Sequence, residues 1–254
     1  MPTCPIAFAH APFGRQQHPA NQRLARHCHD SAFATVVLDG GYLEAGDEGR
    51  RSVGPGDVLI HHAYESHLDC FSKHGAQVLI LPVDTRSCLP LFGRTTDPDA
   101  LVRRAQRSPH DAWLALTSNL QASEQRHLDW PDLLAEQLRN DTALCLRQWA
   151  DSHGLRPETV SRGFQLAYAS SPKAFRAAAR ARAAFRRIRE SRQPLAEIAA
   201  TLGYADQAHM SRAVKALTGL MPSTLRANEN ASATTIPIIT FSVRQRPVSI
   251  RLSP

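Results

Sequence analysis

The hydrophobic rhythm of the chain changes twice. From Arg26 to about Asp84, apolar residues come in short runs broken by turn signals. Phe33–Leu38 is a β-branched apolar run, Asp39-Gly40-Gly41 reads as a turn after it, and Tyr42–Glu44 as its short partner. Gly46–Gly49 reads as a hairpin tip and Gly54-Pro55-Gly56-Asp57 as a second turn, with Val58–His62 and Gln77–Pro82 as further strands. Short strands between regular turns predict a sandwich or small barrel.

After Pro98 the period lengthens to three and four residues, as on a helix. Leu101, Val102 and Ala105 share one face; Trp113, Leu114, Leu116, Thr117 and Leu120 follow, then Leu133, Leu134 and Leu138. The polar stretch Ser123–Asp132 separates these helices, which connect the β part to the rest and offer a surface for dimerisation. From Ala143 to Arg226 the pattern is helical throughout. Residues 227–254 form an appendage: Ala231–Thr235 is small and polar, and Ile236–Ile250 is β-prone but carries Pro237 and Pro247.

The helical block contains one device twice. Leu144–Ala150 is an amphipathic segment, Gly154 supplies the positive φ that ends it, and Pro157 fits the first turn of a second helix. Val160 and Phe164 lie four apart and share a buried face, which leaves Glu158, Ser161, Arg162 and Gln165 pointing outward. The order repeats from Leu195, through Gly203, to a helix for which Asp206 is the N-cap. There Met210 and Val214 are buried, and Gln207, His209, Ser211, Arg212 and Lys215 are free. Each unit has the signals of a helix-turn-helix. Arg162 and Arg212 are equivalent positions 50 residues apart. The 19-residue Ala- and Arg-rich segment Pro172–Glu190 joins the units and spans roughly 28 Å as a helix. One turn of B-DNA is about 34 Å, so two second helices fit successive major grooves. Arg reads guanine and Gln reads adenine by paired hydrogen bonds, and Arg176, Arg180 and Arg187 are placed to meet phosphates.

Charge agrees with this reading. The net charge is +7, and residues 141–226 carry 14 Lys and Arg against six Asp and Glu, while the remainder carries 16 against 17. A basic block beside a neutral one points to a nucleic-acid-binding module joined to another domain. No run of about 18 apolar residues predicts a membrane span. No secretory signal is visible in Met1–Asp30, and the five cysteines (4, 28, 70, 88 and 145) contain no C-x-x-C pair, so a reducing cytoplasm is the expected compartment.

Residues 143–226 resemble the DNA-binding domain of the AraC family of bacterial transcription regulators. The carrying stretches are Trp149-Ala150…Gly154, Ser161-Arg162-Gly163-Phe164, Ser171-Pro172, Ile198-Ala199…Leu202-Gly203-Tyr204, Asp206–Lys215 and Thr218-Gly219…Pro222-Ser223…Arg226. The sequence departs from the family at Val214, where Phe is usual, and at Gly163, a poor helix former inside the first reading helix. The resemblance implies double-stranded DNA as partner, with homodimerisation and contact with RNA polymerase.

The β part contains His27-Cys28-His29, then Pro55-Gly56-Asp57-Val58, then His67, and resembles a cupin barrel, the usual sensor fold of such regulators. In metal-binding cupins an H-x-H pair, a nearby Glu and a later His hold one metal. His27, His29 and His67 match the histidines, but Phe33-Ala34 stands where the Glu would be, and neither Glu65 nor Asp69 matches that slot. Residues two apart on a strand face one side, so His27 and His29 point together, Cys28 faces away, and at most one of His61 and His62 joins them. Three imidazoles suit a divalent transition metal; they equally suit hydrogen bonding to a small-molecule effector. The cysteines read as plain thiols, with a thiol sensor as the alternative. No Ser-His-Asp elbow, P-loop or G-x-G-x-x-G is present, so no catalytic residue is assigned. The competing reading is a metal-dependent cupin enzyme fused to a DNA-binding module.

The expectation is an α+β chain. Residues 1–95 form a cupin-like effector domain, 96–140 a helical connector and dimer surface, and 141–226 an all-α double helix-turn-helix domain, followed by a tail at 227–254.

Overall fold

A computed structural model of the chain describes residues 7–8, 13–83, 90–124 and 126–232. Cys4, Cys88 and most of the tail lie outside the described residues. The first half is a sheet built of β1 (Ala7–Phe8), β2 (Gly14–His18), β3 (Arg23–Cys28), β4 (Phe33–Gly46), β5 (Gly49–Val53), β6 (Asp57–His61), β7 (Ser66–Pro82), β8 (Phe92–Arg94) and β9 (Gln121–Ala122). The strand path is β1-β3-β7-β4-β6-β8-β9, with β2 also on β7 and β5 also on β4. All pairs are antiparallel except β1 with β3.

The two long strands form the spine. β7 pairs with β3 along its first part and with β2 along its last; β4 pairs with β6 first and β5 last. The sheet thereby wraps around an inner core of Phe33, Val37, Tyr42, Leu59, Phe71, Val78 and Ile80. This is the antiparallel β fold expected of a cupin-like domain. Its outer face is covered as well: Ala34, Val36, Val58, Leu79 and Leu81 pack under α1 (Pro98–Ala105) and α2 (Pro109–Asn119) through Leu101, Ala112, Trp113 and Leu116. Burial on both faces explains why these strands read as unbroken apolar runs rather than alternating ones.

One turn is corrected. Asp39-Gly40-Gly41 does not reverse the chain; β4 runs through it, with register shifts against β7 on either side of Gly40. Gly40 has φ +70°, and a Cβ there would lie 2.9 Å from the carbonyl carbon of Gly75. Here glycine marks a bulge and a close backbone approach, not a hairpin. The other turns stand: Gly46 pairs with Gly49, and the Gly54 N–H donates to Asp57 Oδ2 at 2.9 Å.

The second half is helical: α3 (Trp130–Asn140), α4 (Leu146–Ser152), α5 (Pro157–Tyr168), α6 (Pro172–Glu190), α7 (Leu195–Thr201), α8 (Gln207–Thr218) and α9 (Pro222–Ser232). Gly154 and Gly203, at φ +64° and +70°, make the turns inside the two units. Asp206 caps α8, accepting from the His209 N–H at 2.6 Å. Two cores result. Trp149, Val160, Phe164, Tyr168 and Phe175 build the first with Leu134 and Leu138 of α3; Phe185, Ile188, Ile198, Met210, Val214 and Leu217 build the second. α3 therefore packs into the first helix-turn-helix unit, while α1 and α2 pack on the sheet. No described helix is long and apolar enough to cross a membrane.

Candidate nucleic-acid interface and sensory pocket

α5 and α8 each bury one stripe and present the other. Val160, Phe164 and Tyr168 of α5 are at most 2% exposed, and Met210 and Val214 of α8 are fully buried. Glu158, Ser161, Arg162, Gln165, Gln207, His209, Arg212 and Lys215 are exposed, and Ser211 is half-buried. The ring of His209 leans edge-on against Tyr204 at 5.2 Å.

Gly163, the departure inside α5, has a packing reason. A Cβ at this position would lie 2.7 Å from Trp130 Cη2 and nearer still to Cζ2. The glycine lets α3 approach α5 closely. The arginines of α6 divide into two groups. Arg176 donates to the Leu144 carbonyl at 2.7 Å, tying α6 to the first unit. Arg180 donates to the Gly203 carbonyl at 3.1 Å and stacks 4.4 Å over Tyr204, tying α6 to the second. Both were expected at phosphates and instead brace the linker helix; Arg187 remains exposed.

The histidines converge inside the β fold. His27 lies on β3 directly opposite His67 on β7, and His29 follows one residue past the end of β3. One ligand atom from each lies within 4.8 Å of the other two. His27 Nδ1 is 2.8 Å from the Ala25 carbonyl, which fixes a proton on that nitrogen and leaves Nε2 as the ligand atom. His67 is 5% exposed, and its Nδ1 has no hydrogen-bond partner, while Asp69 Oδ2 stands 3.8 Å from its Nε2. At 3.8 Å the carboxylate is near the ring but not hydrogen-bonded to it. Burial and the surrounding histidines push His67 well below its ordinary range, so it is neutral, as a ligand must be.

Three further side chains line the pocket: sequence reasoning weighed His61 and Asp69 without placing them there, and it missed Glu44. His61 faces the pocket, with its pKa lowered by burial to about 3, whereas His62 faces out. Glu44 Oε2 lies 3.5 Å from His61 Nε2. Glu44 stands directly across from Asp69 on β7, and both line the pocket. Burial raises both carboxyls, Asp69 to about 7, and the Asp69 carboxyl across the strands adds to the rise at Glu44. Asp69 was legible from its spacing, two residues past His67; Glu44 required the β4–β7 register. The cavity has a volume of about 90 Å³, with Leu24, Phe33, Phe71, Val78 and Ile80 forming its apolar end.

Cys28 faces away from its histidine neighbours, as strand alternation requires. It is fully buried, and burial lifts its thiol to about 11, which makes it a poor candidate for thiol sensing.

Residues 149–228 match the family model described as "Helix-turn-helix domain". No curated protein matches the chain. Among solved structures, the C-terminal domain of AraT, a response regulator from Geobacillus stearothermophilus, is 21% identical over 46% of this chain and 95% of its own, with a TM-score of 0.37. ToxT from Vibrio cholerae, described as bound to an unsaturated fatty acid, is 10% identical over 83% of this chain and 92% of its own, at 0.38. KdgF from a Halomonas species is 17% identical over 28% of this chain and 70% of its own, at 0.24. The matched family model and the two units on either side of α6 together show that residues 149–228 form a helix-turn-helix domain.

Proposed function

We propose that this protein regulates transcription by inserting α5 and α8 into successive major grooves, and that its affinity for DNA answers to a divalent transition metal held by His27, His29 and His67. Arg162, Gln165, Gln207 and Arg212 would read base edges, with Glu158, Ser161, His209, Ser211 and Lys215 around them. The observation that carries the sensory part is the convergence of His27, His29 and buried His67, one ring nitrogen of each lying within 4.8 Å of the other two. Bound there, the ion would supply a fixed positive charge beside Glu44 and Asp69, lowering the cost of their ionisation. A cavity of about 90 Å³ suits an ion with a few small ligands, since drug-sized ligands occupy roughly 300–1,000 Å³. A small polar effector hydrogen-bonded by the same histidines is the second reading, favoured by the apolar end of the pocket. The protein would act as a homodimer through α1 and α2, where Leu114 is 51% exposed, and engage RNA polymerase from the promoter.

Elemental analysis of protein purified without chelator tests the metal, and gel-shift titration against its operator tests the response. Near-stoichiometric metal, lost in the His27→Ala/His29→Ala variant together with metal-dependent DNA binding, is the expected result. No metal after supplementation, or an unchanged response in that variant, would remove the metal reading.

A further inference from the structure

The pocket wall is also the domain interface. On β3, His27 faces the pocket, whereas Arg26 beside it donates to the Ala45 carbonyl at 3.1 Å and to the Tyr168 carbonyl at the end of α5 at 3.2 Å. On β7, His67 and Asp69 face the pocket, whereas Leu68 between them packs into the first helix-turn-helix core. On β4, Glu44 faces the pocket, whereas Ala45 enters that same core. The period of two along a strand makes this arrangement unavoidable: the wall is one residue thick, with histidines on one side and the DNA-binding domain on the other.

A buried ionic joint sits at the edge of this wall. Asp47, 3% exposed at the β4–β5 turn, pairs with Arg26 of β3 and with Arg182 of α6, the latter at 2.7 Å. Its Oδ2 also accepts from the Ser66 N–H at 2.6 Å, one residue before His67. Arg182 lies near the middle of α6, the helix that joins the two reading units, and is 5% exposed. A second link reaches the other unit. Tyr64, held at φ +64°, donates its N–H to the His29 carbonyl at 2.7 Å and sets its ring edge-on to Phe185 at 4.8 Å. Each helix-turn-helix core therefore contains a side chain from the sensor that adjoins, or is backbone-bonded to, a pocket histidine.

We propose that occupancy of the histidine pocket is transmitted to the DNA-binding domain through this shared wall, with the Arg26–Asp47–Arg182 joint and Tyr64 setting where α6 sits and so how α5 and α8 are presented. The inference rests on the regulatory reading above. Strand movements that regroup His27, His29 and His67 carry Arg26, Ser66 and Leu68 with them, because these residues are covalent neighbours. A packed interface passes such shifts on as a change between discrete arrangements.

The test is the ratio of operator affinities with and without Zn²⁺, measured on the full chain. Arg182→Met removes the cross-domain ion pair but leaves Asp47 paired with Arg26 and Ser66, so no lone buried charge is created. Tyr64→Gly suits the positive φ and removes the ring, giving a second variant should Arg182→Met fail to fold. In the wild type the ratio should be fivefold or more, the lower end of ordinary coupling, and in either variant it should fall below about twofold with Zn²⁺ still bound. An unchanged ratio in the folded variants, or a wild-type ratio near one with Zn²⁺ bound, would overturn the coupling. If Zn²⁺ does not bind, the metal reading fails separately, and a double-mutant cycle of His67→Ala with Arg182→Met on operator affinity then decides. Non-additivity of about fivefold supports the shared wall, and additivity within about twofold refutes it.

Discussion

Gly163→Ala tests the packing of the first reading unit with two effects of opposite sign. In an exposed helix, replacing Gly with Ala adds about 1 kcal/mol of stability, because Ala loses less backbone entropy. Here the new Cβ would stand 2.7 Å from Trp130 Cη2, where carbon atoms prefer roughly 3.5–4.0 Å. Trp130 cannot swing away cheaply: its ring is rigid, half-buried, and packed against the core that contains Trp149, 6.2 Å away centre to centre. Overpacking of this kind costs about 1–3 kcal/mol and outweighs the propensity gain. A net loss of about 1 kcal/mol is expected, read as a lower urea midpoint at unchanged slope. With Trp130→Ala already present, the same substitution should become stabilising. If Gly163→Ala is as stable as wild type while Trp130 is in place, the account of the α3–α5 contact is wrong.

Arg212→Ala should cost about 1–3 kcal/mol of operator affinity and relax specificity at one base pair; if the variant discriminates operator mutants as wild type does, Arg212 does not touch that base. Iodoacetamide at neutral pH should label exposed Cys145 well before buried Cys28, whose thiol is lifted to about 11; mass spectrometry of tryptic fragments would show it, and equal rates would contradict the burial. Burial raises Glu65 to about 8, and an acid raised on folding favours the folded state below its unfolded value of 4.5 and loses that contribution as pH climbs through 8. Glu65→Gln keeps the acceptor for the His62 N–H, so its melting temperature should fall less between pH 5 and 8.5 than that of the wild type; parallel profiles would show that Glu65 is ionised in the fold.

The helix-turn-helix part was legible nearly residue by residue. Pro157, Gly154, Gly203 and Asp206 act through local backbone rules, and the stripes Val160–Phe164 and Met210–Val214 through helical periodicity; neither depends on distant residues. The pocket was legible in half. His27 and His29 share a face by local geometry, and their meeting with His67 was anticipated from opposing strands. Glu44 was not visible, because it comes opposite Asp69 only through the register of β4 on β7. Asp39-Gly40-Gly41 was misread for a related reason. A glycine at positive φ serves a turn or a bulge equally well, and the neighbour that decides, Gly75, is 35 residues away.

By itself the sequence determined the helices of the second half, its basic charge, the exposed faces of α5 and α8, and the candidate histidines, since all of these follow from spacing along the chain. Tertiary structure decided that Gly163 makes room for Trp130, that Arg176 and Arg180 brace α6, and that one face of the histidine wall is the seat of the DNA-binding domain. These are contacts between residues far apart in sequence. Asp47 and Arg182 are 135 positions apart, and no local pattern distinguishes either from an ordinary surface charge; burial at a shared interface, where each charge requires the other, is what pairs them.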